Sequence, residues 1–250
     1  MDDDAPVLVR PRRGAAPARR TGSTPRGRGY ARQRSPLPVH ASQAHRLHSL
    51  RGPSLARYPR RDTSAPARYA RAIAYYRQAK LPEARAELDA LIAEDPRNPY
   101  FQELMGQILF ENGHAAESIP YHRRSLEYAP GQPLLQVNLA RALVAANGRE
   151  GTEEAIRLLN EAVRKEPDNG FAWREMASAR FERGEPGLAQ LASAEASFTV
   201  GDYPSALSFA ERARRALPRN TTDYRRADDI VNFAGNEVRE RMQRTAGRRG

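Results

Sequence analysis

One helical hairpin recurs along this chain, and the recurrence restricts the fold more than any single motif. From Pro99 to Pro130 the sequence reads PYFQELMGQILFENGHAAESIPYHRRSLEYAP. Two apolar helical runs, 101–112 and 115–128, meet at Asn112-Gly113, a left-handed-turn signal, and Ala129-Pro130 stops the second run. Met105-Gly106, Leu109, Ser118, His122 and Pro130 mark the unit. The same register holds upstream at Ala72, Tyr75, Ala84, Leu88 and Pro96, and Pro96 to Pro130 is a step of 34. Downstream it returns at Ala140, Leu143, Ala155, Leu159, Ala162 and Pro167, after a step of 37. The three extra residues fall in the turn at 148–152, where an insertion costs least. A fourth unit opens with Trp173, Met176, Ala177 and Gly184, and a fifth closes with Gly201, Ala206, Ala213 and Pro218. The run from Leu188 to Thr199 must therefore serve twice, as second helix of the fourth unit and first helix of the fifth. A single hairpin cannot bury its own apolar face, so copies must stack on one another.

This spacing resembles the tetratricopeptide (TPR) signature, with its aromatic, Leu-Gly, Tyr, Ala, aromatic and Pro positions over about 34 residues. The resemblance implies an all-α fold, a TPR-type helix-turn-helix superhelical array (α-solenoid) behind a disordered basic N-terminal tail. Helices are predicted at 67–78, 82–94, 99–112, 115–128, 133–146, 152–165, 170–183, 187–200, 203–216 and 222–243. Thr63 or Ser64 is available as the first N-cap. Pro120 lies about a turn into its helix and predicts a mild kink or a late start. Small residues stand where helix axes must approach, Gly106, Ala140, Ala177 and Ala194 on first helices and Ala84, Ser118, Ala155 and Ala206 on second helices. Tyr75, Leu109, Leu143 and Leu159 fill the space between. The expected organisation is a tail over 1–62, about five units over 63–220, a capping helix over 221–244 with one apolar stripe, and a frayed end at 245–250.

Charge divides the chain in the same place. The formal charge is +11, but residues 1–62 hold 14 Arg, no Lys and 4 Asp, so the remaining 188 residues sum to about +1. Arg, Pro, Ala, Gly and Ser without periodicity cannot bury enough surface to offset the cost of ordering, which predicts disorder. The same composition fits GC-rich codons read out of frame. An arginine-rich tail can hold anionic surfaces or nucleic acid, yet only Tyr30 and Tyr58 supply aromatics in its vicinity, and nucleic acid is the disfavoured partner. No run reaches the 18 apolar residues of a membrane span, and the acidic-then-basic N-terminus is not a secretory signal as written, which predicts a cytoplasmic location.

Candidate chemistry is sparse. His40, His45 and His48 fall in the tail with no nearby carboxylate, His114 sits at a turn, and His122 occupies the repeat's aromatic position. Asn220-Thr221-Thr222 matches a glycosylation acceptor by pattern alone. The 250 residues contain no phosphate loop, no G-x-S-x-G elbow and no H-E-x-x-H helix, so no catalytic residue, cofactor or metal is expected. What remains is a binding face. First helices line the concave wall of such an array, which nominates Tyr76, Tyr100, Glu103, Gln107, Phe110, Arg141, Phe171, Arg174, Ser178 and Phe181 for a peptide or partner domain. Tyr69, Ile73, Val137 and Val144 share that wall and divide between lining and core.

From about Arg57 the phrases LARYPRRDTSAPARYARAIAYYR, ALIAEDPRNPYFQELMGQILFENG and EPDNGFAWREMASARFERGEPGLAQLASAEASFTVGDYPSAL resemble the C-terminal TPR region of bacterial BepA-like zinc metalloproteases. That family carries an H-E-x-x-H protease domain before its repeats and works in the periplasm on outer-membrane protein quality control. The resemblance implies an accessory TPR module whose partner is a protein or peptide, a zinc protease domain included, and a periplasmic location if the family's applies. Its zinc-binding His and Glu residues and general-base Glu have no counterpart here, so none is carried over. The alternatives are a fragment or trans-acting part of such a peptidase, and an anion binder acting through the tail.

Overall fold

The computed structural model describes residue 55 and residues 57–246. Over these the chain forms α1 (Ala65–Arg77), α2 (Leu81–Glu94), α3 (Pro99–Glu111), α4 (Ala115–Tyr128), α5 (Pro133–Asn147), α6 (Thr152–Lys165), α7 (Gly170–Arg183), α8 (Pro186–Thr199), α9 (Tyr203–Ala216) and α10 (Thr222–Ala246). The three-residue excess of the third unit appears as a 3-10 turn at Gly148–Gly151. Pro120 neither breaks nor delays α4. The amide it lacks would have bonded the carbonyl of Ala116, an exposed residue whose carbonyl water can serve. Most of the arginine-rich tail, with His40, His45 and His48, lies outside the described residues.

Every hairpin except that of α5 and α6 turns by one repeated backbone device. After α3, His114 N donates to Leu109 O at 2.9 Å and Gly113 N to Phe110 O at 3.1 Å, with Gly113 at φ 83°. The same pair of bonds follows α7 (Glu185 to Arg180, Gly184 to Phe181) and α8 (Asp202 to Ser197, Gly201 to Phe198). A left-handed residue lets the last carbonyls of a helix find donors, and glycine takes that conformation without a Cβ clash. In the first hairpin the bonds are Lys80 to Tyr75 and Ala79 to Tyr76, so an alanine holds φ 56°. The following helices open on Pro at the first positions of α1, α2, α3, α5, α8 and α9. Asn98, Asn169 and Asp202 cap α3, α7 and α9 through their side chains. Ser64 stands at the N-cap of α1 but makes no side-chain cap bond; its own amide donates to Asp62 Oδ1.

Three apolar clusters follow one another along the stack. The first joins α1, α2 and α3 through Ile73, Leu88, Leu91, Met105 and Leu109; the second joins α5, α6 and α7 through Val137, Leu143, Leu159 and Met176, and also takes Ala192 of α8; the third joins α8, α9 and α10 through Leu191, Phe198, Ala210 and Ile230. Ala84, Ser118, Ala155 and Ala206 are fully buried, as close helix approach requires. Ala177 is only half-buried, and Ala172 and Ala179 take the tight positions of α7 instead. Gly106 shows the limit of approach: a Cβ there would sit 2.8 Å from the imidazole of His122. The ring of His122 fills the space a side chain on α3 would need. As the repeat spacing requires, α8 packs against α7 on one side and α9 and α10 on the other.

Buried polar groups also fasten this stack, Arg71 and Glu103 among them. Arg71, 2% exposed, donates from Nε and Nη2 to Glu87 at 2.6 and 2.8 Å, and from Nη1 to the carbonyls of Pro59 and Asp62. One guanidinium thus ties the segment before α1 to both helices of the first hairpin. Between the second and third units, Asn138 Nδ2 donates to Glu103 Oε1 at 3.1 Å, both residues being buried. Burial pushes the Glu103 carboxyl up to about 7, while burial and the positive charge of Arg141 bring His122 down to about 4.

Three outcomes follow from these contacts. Ala79→Gly relieves the left-handed alanine and should raise stability by about 1 kcal/mol in urea unfolding. Arg71→Ala leaves two carbonyls without their donor and Glu87 with only Arg68 at 3.7 Å, and should cost roughly 3 kcal/mol in the same measurement. The pH dependence has two opposed parts. Folded Glu103 keeps its proton to about pH 7, the unfolded chain only to about 4.5, so its contribution is complete at low pH and is lost as pH rises through 7. Folded His122 stays neutral down to about 4, the unfolded ring to about 6.5, so its contribution is complete above 6.5 and is lost as pH falls. Between pH 4.5 and 6.5 the two slopes oppose each other, so Glu103→Gln, which keeps an acceptor for Asn138, should remove the decline in urea midpoint as pH rises to 7 and expose an acid-side loss that runs from pH 6.5 down to about 4.

Candidate protein-binding face

The first helices α1, α3, α5 and α7 carry the nominated residues, but they do not bring all of them together. At the centre is Arg141 of α5. Its guanidinium lies 4.5 Å from the ring centroid of Phe110 on α3 and 5.1 Å from that of Phe171 on α7, and its Nε is 3.3 Å from Glu175 Oε1. Arg174 approaches the same Phe171 ring at 5.8 Å. A cation over an aromatic face is held by the ring quadrupole, so one arginine links three successive first helices without being removed from solvent. Burial pushes the Glu175 carboxyl up, an effect that Arg141 and Arg174 partly offset.

Beside this stack is a concavity of about 220 Å³ lined by Phe110, Ala140, Arg141, Val144, Ala145, Leu159, Glu175 and Ser178. It is smaller than the roughly 300 to 1,000 Å³ of small-molecule sites, and its scale is that of one apolar side chain. Its floor is Ala140, Val144 and Leu159; its rim is Arg141, Glu175 and Ser178. That arrangement can seat a side chain and hold polar groups on either side of it.

Phe110, Arg141, Phe171, Arg174 and Ser178 therefore gather around one depression. Phe181 lies farther along α7 at 72% exposure, an unusual state for an aromatic ring. Tyr76, Tyr100 and Gln107 belong to the first two units, away from the concavity, and Gln107 Nε2 donates to Glu111 on its own helix. Glu103 is buried against Asn138 and is a joint between units, as Tyr69, Ile73 and Val137 are core. Glu175 was not among the nominated residues. The signal for it was present, since it lies one repeat step after Arg141 and carries the opposite charge.

Comparison with known proteins agrees with this architecture. Residues 69–133 match the tetratricopeptide repeat model. The beta-barrel assembly-enhancing protease of Yersinia pestis is 28% identical over 162 residues, 65% of this chain and 33% of that protein. The protein of the same name from Escherichia coli (strain K12) is 26% identical over 162 residues, 65% of this chain and 32% of that one. A TPR repeat-containing thioredoxin, TTL4, from Arabidopsis thaliana is 35% identical over 80 residues, covering 32% of this chain and 11% of its own length. The match thus spans about a third of the protease relatives. The crystal structure of MamA aligns at 13% identity with a TM-score of 0.48, covering 69% of this chain and 96% of that one. Among the described residues no helix is long and apolar enough to cross a membrane. The chain carries tetratricopeptide repeat sequence over residues 69–133, and it is similar over 162 residues to the beta-barrel assembly-enhancing proteases.

Proposed function

We propose that this array is a non-enzymatic protein-interaction module that receives an extended peptide or partner segment on the face formed by α3, α5 and α7. The observation that supports it is the Arg141 stack between Phe110 and Phe171 beside a pocket sized for a single side chain. An extended strand crossing the three helices would place one apolar side chain in the pocket. Its carbonyls or a neighbouring carboxylate would meet Arg141 and Arg174, and Phe181 would cover the next apolar position. Small, repeated contacts of this kind suit peptide recognition better than catalysis, because no nucleophile and base stand together at the site.

The similarity to the beta-barrel assembly-enhancing proteases gives this module a context. In that reading it is the accessory repeat part of a zinc metalloprotease, the bound segment belongs to the protease domain or to a substrate, and the compartment is the periplasm. The arginine-rich tail is a separate matter, and binding at this face does not depend on it.

The test begins with selection of peptides from a random library on the immobilised full chain. Selected peptides should bind in solution with affinity that falls roughly tenfold or more in Phe110→Ala and Arg141→Ala, the scale of a central contact residue. Phe181→Ala, at an exposed position, should weaken binding without altering the helical circular dichroism signal. Peptides that bind all three variants as well as the parent would place recognition elsewhere and overturn the proposal.

A further inference from the structure

The face around Arg141 is fastened from inside by the helices that form it. On α3, Glu103 and Phe110 stand seven residues apart and share one side of the helix; on α5, Asn138 and Arg141, three apart, do the same. The two helices therefore meet through two links in a row. The inner link is the hydrogen bond from Asn138 Nδ2 to Glu103 Oε1 at 3.1 Å, and the outer one is the Arg141 guanidinium 4.5 Å from the ring centroid of Phe110. The outer link belongs to the binding face. The inner one is buried, Glu103 at 7% exposure and Asn138 at 8%.

The surroundings of the Glu103 carboxyl are poor in charge. Tyr69 comes from α1, a phenol whose ionisation burial and Glu103 both push up. Tyr100 lies one turn earlier on α3 itself, His122 of α4 packs its neutral ring on Gly106 one turn later, and α5 supplies the amide of Asn138. Arg141 is turned to Phe110, Phe171 and Glu175. Among the described residues no arginine or lysine pairs with Glu103, and burial alone raises its hold on the proton. A carboxylate taken from water without a cation is unfavourable, so such a group keeps its proton or regains water. Protonated, Glu103 is a neutral acid that accepts from Asn138 and closes the joint. Ionised, it reaches water where α3 and α5 part, and parting withdraws Phe110 from Arg141, because the same two helices carry both links.

We infer that Glu103 is a proton-operated latch between the second and third units: loss of its proton parts α3 from α5 and lowers the affinity of the Arg141 face for its ligand, the second half resting on the peptide-binding reading of that face. The sign follows from burial, which pushes the Glu103 carboxyl up to about 7, so the latch is closed at pH 6 and open at pH 8. Tyr69 and His122 stay neutral across that range. Glu175, also raised by burial, touches Arg141 directly and is controlled separately.

The test uses the full chain, which contains no cysteine. Glu111→Cys on α3 and Asn147→Cys on α5, both at exposed positions, carry spin labels whose separation is read by pulsed electron resonance at pH 6 and pH 8. One narrow distance at pH 6 should give way to a longer, broader distribution at pH 8, and Glu103→Gln should hold the narrow one at both. An unchanged distribution in the labelled parent, or a change that survives Glu103→Gln, would overturn the latch. No ligand enters this measurement, and circular dichroism at both pH values checks that each variant is folded. Binding is then measured with a peptide selected at pH 6 from a library without histidine, acetylated and amidated so that its own charge is constant. Affinity should be roughly tenfold lower at pH 8 than at pH 6, as expected when the competent state is lost with one group that titrates at about 7. The fall should vanish in Glu103→Gln and persist in Glu175→Gln. Equal affinity at both pH values, or a fall that vanishes only in Glu175→Gln, would overturn the inference. If no peptide is selected at pH 6, the binding face fails while the label distances still decide the latch.

Discussion

The structure depends on a reversal of direction that uses the fewest possible residues. Four hairpins turn through one left-handed residue and the same two backbone bonds, at Ala79, Gly113, Gly184 and Gly201. A helix that ends in this way satisfies its own last carbonyls, so it needs no cap from elsewhere in the molecule. The next helix then starts within three or four residues, often on proline, and is forced back along the first. Everything else acts on hairpins already closed: small residues permit approach, and leucines and aromatics fill what approach leaves open.

Where that turn comes half a repeat early, the array changes side. Gly184 and Gly201 bracket a single helix, α8, so two reversals follow one another without the intervening pair. The helix is equipped for both neighbours. Ala192 joins the cluster of α5, α6 and α7, whereas Leu191, Ala194 and Phe198 join that of α9 and α10. The rings of Phe198, Tyr203 and Phe233 meet edge to face at 5.2 to 5.8 Å, locking α8 to the two helices after it. Beyond Val238 the last helix leaves this packing and is exposed, with Met242 uncovered near its end.

Much of this was legible in the sequence because the signals were backbone signals. Glycine at the turns, proline at helix starts and small residues at the contacts are local requirements that recur in register, and the double duty of α8 follows from the early Gly201. The site was less legible for the opposite reason. A first-helix position says which way a side chain points relative to the repeat axis, but whether it is open depends on the next unit. Glu103 and Phe110 both occupy α3 on the nominated face; Asn138 closes over the first, and Arg141 leaves the second on a rim. Arg71 was missed because its partners, Glu87 and the carbonyls of Pro59 and Asp62, belong to a lead-in with no periodicity to read.

Two concave surfaces meet in α7. Phe171, Glu175 and Ser178 face the Arg141 depression, while Trp173, Met176 and Arg180 line an outer cleft between α6, α8 and the start of α10, so a single fourteen-residue helix is a wall of both. Its third face, Ala172 and Ala179, is fully buried. Packing of that kind resists sliding, because interiors at crystal-like density offer few alternative arrangements. A segment bound on one side therefore meets a helix already fixed by its small residues. The Arg141 depression and the outer cleft thus lie on opposite faces of one helix whose third face is buried alanine.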